Sequence, residues 1–167
     1  MRHIIGILLQ NESGALSRVA GLFSSRGYNI ESLTVSATDD PALSRITLVT
    51  KGSDAVVQQI VNQLHKLIDV VAADDMTSED HLERELALIK LKVRPGQRDA
   101  VRMLVEQAGG RVLAEGSDCH IVEIASGEAA ISQLAQQLAT QADLLEIVRS
   151  GALAMSRQAR ILHVVES

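Results

Sequence analysis

A chain of 167 residues, 46% of them hydrophobic and 22% charged, has the length for one or two small domains and an ordinary globular balance. Sixteen Lys and Arg against 21 Asp and Glu leave a net charge of −5, which argues against non-specific nucleic-acid binding. Phe23 and Tyr28 are the only aromatic residues, so the core must come from Leu, Ile, Val and Ala; a single cysteine, Cys119, excludes an intramolecular disulfide and a thiolate metal cluster. Cys119 itself reads as a small buried hydrophobe beside a strand.

The apolar run Ile4 to Leu9 predicts a buried central strand. It is too short for a signal-peptide core or a membrane span, which sets the expectation of a cytoplasmic location. The stretch Asn11 to Leu33 reads as a loop, a helix, a glycine stop and the start of a strand. Leu16, Val19, Ala20 and Phe23 recur at helical spacing and are expected on one face. Gly27, after Arg26, closes that helix, and Gly21 is expected to mark close packing on the sheet. Between Tyr28 and Thr38, Leu33, Val35 and Ala37 alternate with polar residues. Asp39-Asp40-Pro41 makes a turn, and Ile46 and Leu48 follow on the second arm of a hairpin. Asp54 to Lys66 is helical, with Val57, Ile60, Val61 and Leu64 inward and Ser53 or Asp54 as cap. Leu67 to Ala72 is expected to be the last strand of this set. Strand, helix, strand, strand, helix, strand is the ferredoxin-like βαββαβ order, which leaves one sheet face uncovered.

Ala73 to Glu83 is acidic and aperiodic, and reads as a linker. The pattern then repeats. Leu86, Leu88, Leu91 and Val93 mark a strand and Pro95-Gly96 a turn. Val101, Leu104, Val105 and Ala108 mark a helix stopped by Gly109-Gly110. Arg111 to Glu115 and Cys119 to Ala125 form a hairpin through Gly116-Ser117-Asp118. Ile131, Leu134, Ala135 and Leu138 mark a second helix, and Leu144 to Arg149 a final strand. The fold class expected is α+β, two ferredoxin-like domains, with residues 1–76 and 85–150 as domains, 77–84 as linker and 151–167 as a tail. For that tail, docking on a partner and fraying are both open.

Catalytic patterns are missing. His3, His65, His81, His120 and His163 show no metalloprotease spacing and read as surface or capping residues. There is no nucleophile elbow and no phosphate-binding Gly-Lys loop. Asp39-Asp40, Asp74-Asp75 and Glu79-Asp80 fall in turns or the linker, where solvated charge explains them. An RNA-binding module of this strand order needs exposed aromatics and a basic surface, and this chain has neither. What remains is a small-molecule site. The loop Asn11, Glu12, Ser13, Gly14 opens a helix at Ala15 and Leu16, and a helix N-terminus offers backbone N–H groups and partial positive charge to a carboxylate. Asn11 and Asn29 can turn carbonyl oxygens to an ammonium group, and Ala15, Leu16 and Ile30 suit an aliphatic side chain.

At these residues the sequence resembles a known family. NESGALSRVAGLFSSRGYNIESLTVSATDDPALSRITLV is similar to the N-terminal ACT domain of the small, regulatory subunit of acetolactate synthase. The similarity continues through QLHKLIDVV and ERELALIKLKV, returns at EIVRSGALAMSR, and is faintest from Gly96 to Leu144. The resemblance implies a non-catalytic homodimer in branched-chain amino acid biosynthesis (valine, leucine, isoleucine). It implies binding to a large catalytic subunit, activation of it, and feedback inhibition by valine at the ACT dimer interface. Asn11, Glu12, Ser13, Gly14, Ala15 and Leu16 of one subunit and Asn29 and Ile30 of the other would hold the valine. It places no cofactor in this chain, and thiamine diphosphate, magnesium and FAD in the large subunit. The second half carries VRPGQRD where the first has its NESG loop, so no amino-acid site is expected there. The alternative from another class is a stand-alone amino-acid sensor with tandem ACT domains. No helix-turn-helix is evident, which argues against direct DNA binding.

Overall fold

The computed structural model describes residues 1–117, 119–158 and 162. The chain forms two ferredoxin-like units, one from Met1–Leu82 with the segment from Ala152 on, the other from Glu83–Gly151.

The first unit runs β1 (Arg2–Gln10), α1 (Ala15–Ser25), β2 (Ile30–Ala37), β3 (Leu43–Lys51), α2 (Asp54–Leu64) and β4 (Val70–Asp75). The strands form one antiparallel sheet ordered β2-β3-β1-β4, so β1 is central and β2 is an edge. Ile5, Ile7 and Leu9 of β1 face the helices, meeting Val19 and Phe23 of α1 and Val57, Ile60 and Leu64 of α2. Each such fully buried aliphatic side chain stabilises the fold by about 1.5–3 kcal/mol. Ile4, on the opposite parity, lies in a second cluster on the other face. Burial on both sides explains why β1 reads as an unbroken apolar run. The helix α1 ends in a Schellman motif. Gly27 takes φ 70°, the Tyr28 N–H donates to the Phe23 carbonyl at 2.9 Å, and the Gly27 N–H to that of Ser24 at 3.2 Å. Phe23 and Tyr28 then meet edge to face, with ring centroids 6.2 Å apart.

The second unit takes in most of β5 (His81–Lys92), then α3 (Arg98–Gln107), β6 (Arg111–Glu115), β7 (Cys119–Ser126), α4 (Glu128–Gln141) and β8 (Asp143–Arg149), with a 3-10 turn over Pro95–Gln97. Its sheet order, β6-β7-β5-β8, repeats that of the first unit. Val101 and Val105 of α3 and Ile131, Leu134 and Leu138 of α4 close its core.

Several boundaries differ from the sequence reading. The fourth strand is Val70–Asp75, not Leu67 to Ala72, because Leu67 and Ile68 belong to the turn after α2 and Ile68 points into solvent. Asp74 and Asp75 are therefore strand residues. β5 begins at His81, inside the stretch read as linker. The core face of β5 is Ala87, Ile89 and Leu91, continued by Val93 just past the strand, and Leu86 and Leu88 lie on the exposed face. Leu16 is exposed and Ala15 takes its place in the core, while Gly21 faces solvent with no atom near the position of a Cβ. Cys119 is half-buried. His3 and His120 are buried, not surface residues; His163 lies outside the described residues, as does Asp118 of the hairpin turn.

The tail folds back on the first unit as β9 (Leu153–Ser156). Ala152 and Ala154 cover Ile4, Val49 and Met76 on the sheet face away from the helices. The Ala152 N–H donates to Ser32 Oγ at 3.1 Å and the Arg157 N–H to the Asp80 carbonyl at 2.9 Å. The rest of the tail, apart from Gln158 and Leu162, lies outside the described residues. Among the described residues no helix is long and apolar enough to cross a membrane.

Candidate functional site

The loop between β1 and α1 is fixed from two sides. At its start the Gln10 N–H donates to the Asp69 carbonyl at 2.8 Å, in the turn before β4. One residue on, the Asn11 N–H donates to the Ala42 carbonyl at 2.8 Å and Asn11 Nδ2 to that of Pro41 at 3.0 Å, in the β2–β3 turn. With its amide nitrogen engaged there, Asn11 presents its side-chain oxygen as the group available to a ligand. The chain then turns sharply, the Glu12 N–H donating to the Gln10 carbonyl and the Ala15 N–H to that of Glu12.

Gly14 is the residue before the helix, at φ 85°, in the left-handed region that a side chain disfavours. No side chain caps α1. In α2, by contrast, Ser53 accepts a hydrogen bond from the Val56 N–H. The Asn11, Glu12 and Ser13 side chains therefore do not cap the helix that follows them; of its first turn, Ala15 and Arg18 donate to main-chain carbonyls, and the N–H groups of Leu16 and Ser17 are left to solvent or a ligand. Partial positive charge gathers at the same point.

Arg18 lies one turn into α1. Its Nε and Nη2 donate to the two oxygens of Asp69, the latter at 2.7 Å. The guanidinium holds the Asp69 carboxyl below the usual carboxylate range, and Asp69 raises Arg18 in return. Asp69 is buried at 3% exposure, whereas Arg18 is half exposed. The remaining guanidinium nitrogen, Nη1, stands 3.0 Å from where a Cβ on Gly14 would be. Glu12 adds a nearby negative charge that also favours the charged Arg18. Neither Arg18 nor Asp69 was legible as a site residue. They pair across 51 positions, and the local sequence pattern puts Asp69 in a strand.

Asn29 and Ile30 lie beyond the other end of α1, which at 11 residues spans about 16 Å. Asn29 is exposed, and its carbonyl accepts a 2.6 Å hydrogen bond from Thr50 Oγ1. Ile30 pairs with Thr50 on β3, whereas Asn11 is tied to Ala42, eight residues earlier in the chain. At about 3.3 Å per strand residue the two groups are about 26 Å apart. One copy of the chain thus brings together Asn11, Glu12, Ser13, Gly14, Ala15 and Leu16, and does not bring Asn29 and Ile30 to them.

The remaining polar clusters lie elsewhere. His3 Nδ1 is 3.2 Å from Asp75 Oδ2, and its Nε2 is 3.5 Å from Asp54 Oδ1. Both ring nitrogens of His120 are buried without a hydrogen-bond partner among the described residues. Among the described residues, no group of three or more His, Cys, Asp or Glu side chains is placed to hold a metal ion.

Comparison with known proteins accounts for both halves. Residues 5–72 match the family model of the AHAS small subunit-like ACT domain, and residues 84–158 match that of the small subunit of acetolactate synthase. A protein named acetolactate synthase isozyme 3 small subunit, from Escherichia coli, is 43% identical over 97% of this chain and 99% of its own length. The chain belongs to the acetolactate synthase small-subunit family. An acetolactate synthase small subunit from Haemophilus influenzae is 41% identical over 94% of this chain and 96% of its own. The crystal structure of the acetolactate synthase small subunit from Thermotoga maritima superposes with a TM-score of 0.85 at 32% identity, covering 96% of this chain and 99% of that one. Membership gives the chain a regulatory-subunit role and makes its first unit an ACT domain.

Proposed function

We propose that this small subunit binds and activates the large catalytic subunit of acetolactate synthase and confers feedback inhibition by L-valine held at an ACT dimer interface. The observation that carries the effector site is the uncapped start of α1, opened by Gly14 in a left-handed conformation. Its N–H groups suit the carboxylate of an α-amino acid, while Glu12 and the oxygen of Asn11 suit the ammonium group. Opposite charges on one short loop match a zwitterion better than a simple anion. Exposed Leu16 and half-buried Ile30 supply apolar surface for an aliphatic side chain.

Strand geometry supports a site made by two copies. β2 is an edge strand, with backbone groups open to pairing. Antiparallel pairing of two β2 edges sets the Ile30 end of one copy beside the Ala37 end of the other, next to the turn that holds Asn11. The two groups of site residues then meet across the two-fold axis. In this reading the acetolactate-forming chemistry, with its thiamine diphosphate, magnesium and FAD, belongs to the large subunit. The valine shifts the complex between states only by its differential affinity for them.

Calorimetric titration of the isolated chain with L-valine, with L-leucine, L-isoleucine and L-serine as controls, tests the site. Reconstitution with the large subunit tests the activation. Saturable binding that favours valine, together with activation, is the expected result. Binding without activation would instead favour the stand-alone sensor, and no binding with or without the large subunit would remove the effector reading.

A further inference from the structure

Asp69 grips both ends of the candidate loop. Its main-chain carbonyl accepts the N–H of Gln10, the last residue of β1, and its carboxylate accepts Nε and Nη2 of Arg18, in the first turn of α1. Everything proposed to meet the amino acid before α1 lies between those two anchor points. The second wall, the β2–β3 turn, reaches only Asn11. A bidentate guanidinium–carboxylate pair has a fixed fork geometry, so it sets direction as well as distance. The carboxylate is buried, so it has little solvent to fall back on if the fork is lost.

The geometry points to Asp69 and Arg18 as a positioning pair that holds the loop Asn11–Gly14 and the start of α1 in their ligand-ready conformation before any ligand arrives. It sets affinity for the amino acid by removing the ordering cost of the loop. The pair deepens the effector reading above, and its effect on the loop is measurable without the effector.

The test is amide hydrogen exchange on the full chain and on Asp69→Asn, which keeps the side-chain shape and removes the charge. Exchange across residues 10–18 is expected to rise by about tenfold in the variant, with residues 54–64 of α2 unchanged. Unchanged exchange across 10–18 would overturn the proposal, as would an equal rise throughout the unit, the mark of general destabilisation. Should Asp69→Asn fail to fold, Arg18→Gln, at a half-exposed position, carries the same expectation. Calorimetry with L-valine then follows. Asp69→Asn, Arg18→Gln and the double variant are each expected to weaken binding by about tenfold, the double no more than either alone, because all three remove one clamp. Additive losses would overturn the pairing. If the unmodified chain binds no valine while loop exchange still rises in Asp69→Asn, the positioning role stands and the effector reading falls.

Discussion

Gly14 combines two constraints, and substitutions separate them. Any side chain there meets a left-handed backbone, at a cost of about 1–2 kcal/mol, and pushes on Arg18 Nη1. Gly14→Asp also sets a carboxylate where the carboxylate of a ligand would sit. Valine inhibition of the reconstituted enzyme is expected to vanish in Gly14→Asp, and in Gly14→Ala to survive at a valine concentration raised about tenfold by the strain. Equal inhibition curves for both variants and the unmodified chain would show that the loop does not hold the effector. The carboxyl groups of Asp69 and Glu115 are each held low by an arginine, Arg18 and Arg102. A depressed carboxyl contributes stability above its unfolded pKa, and that contribution is lost as pH falls through the folded value. Thermal melting should therefore be flat near neutrality and fall below about pH 4. Asp69→Asn should flatten part of that acid limb, and a variant with an unchanged limb would show that the ion pair does not drive it. At this scale the loop was legible because a glycine before a helical pattern is a local signal. Arg18 and Asp69 were not, because their partnership exists only after α1 and the turn before β4 have packed on the same strand.

The singly buried helix α2 and the doubly buried strand β1 were legible, whereas a strand with apolar residues on both parities but only one buried face was not. All four inward positions of α2 are those its spacing predicts. The strand β5 carries apolar residues on both parities, so alternation alone does not choose between Leu86 and Leu88 and their neighbours Ala87 and Ile89. Pairing with β7 and β8 decides it. The apolar turn Leu67-Ile68 imitates a strand start for the same reason. At the edge strand β2 the proposed dimer makes its own demand. A lysine at Val35, which is partly exposed, is expected to block edge pairing and leave a folded monomer. Sedimentation would read the change in mass, and calorimetry the accompanying loss of valine binding. A dimer that persists at the same strength with Val35→Lys would place the interface elsewhere.

At the scale of the whole chain, the repeat of one sheet order in two units was legible from the sequence, and the fold-back of the tail was not. Its residues Leu153 and Met155 are exposed. Ala152 and Ala154, which cover Ile4, Val49 and Met76, are alanines that carry little signal, and Leu162, which lies against Gly6, sits in a stretch with no helical or strand period. Removing the chain after Gly151 uncovers Ile4, Val49 and Met76. The first unit should then lose about 1–3 kcal/mol, on the scale of one or two buried side chains, and bind a hydrophobic dye that the full chain excludes. A truncated chain with unchanged melting and no dye binding would show that the strap adds nothing to the fold.

That strap makes the first unit discontinuous. Residues 83–151, a complete second unit, are spelled out between Leu82 and the segment that finishes the first. On a ribosome adding about 5–20 residues per second, the newborn ACT sheet waits roughly 4–14 s with Ile4, Val49 and Met76 bare. Through that interval the unit is finished on its helical side and open on the other, so whatever first reaches that face, the chain's own tail or another polypeptide, is settled by timing as well as by fit.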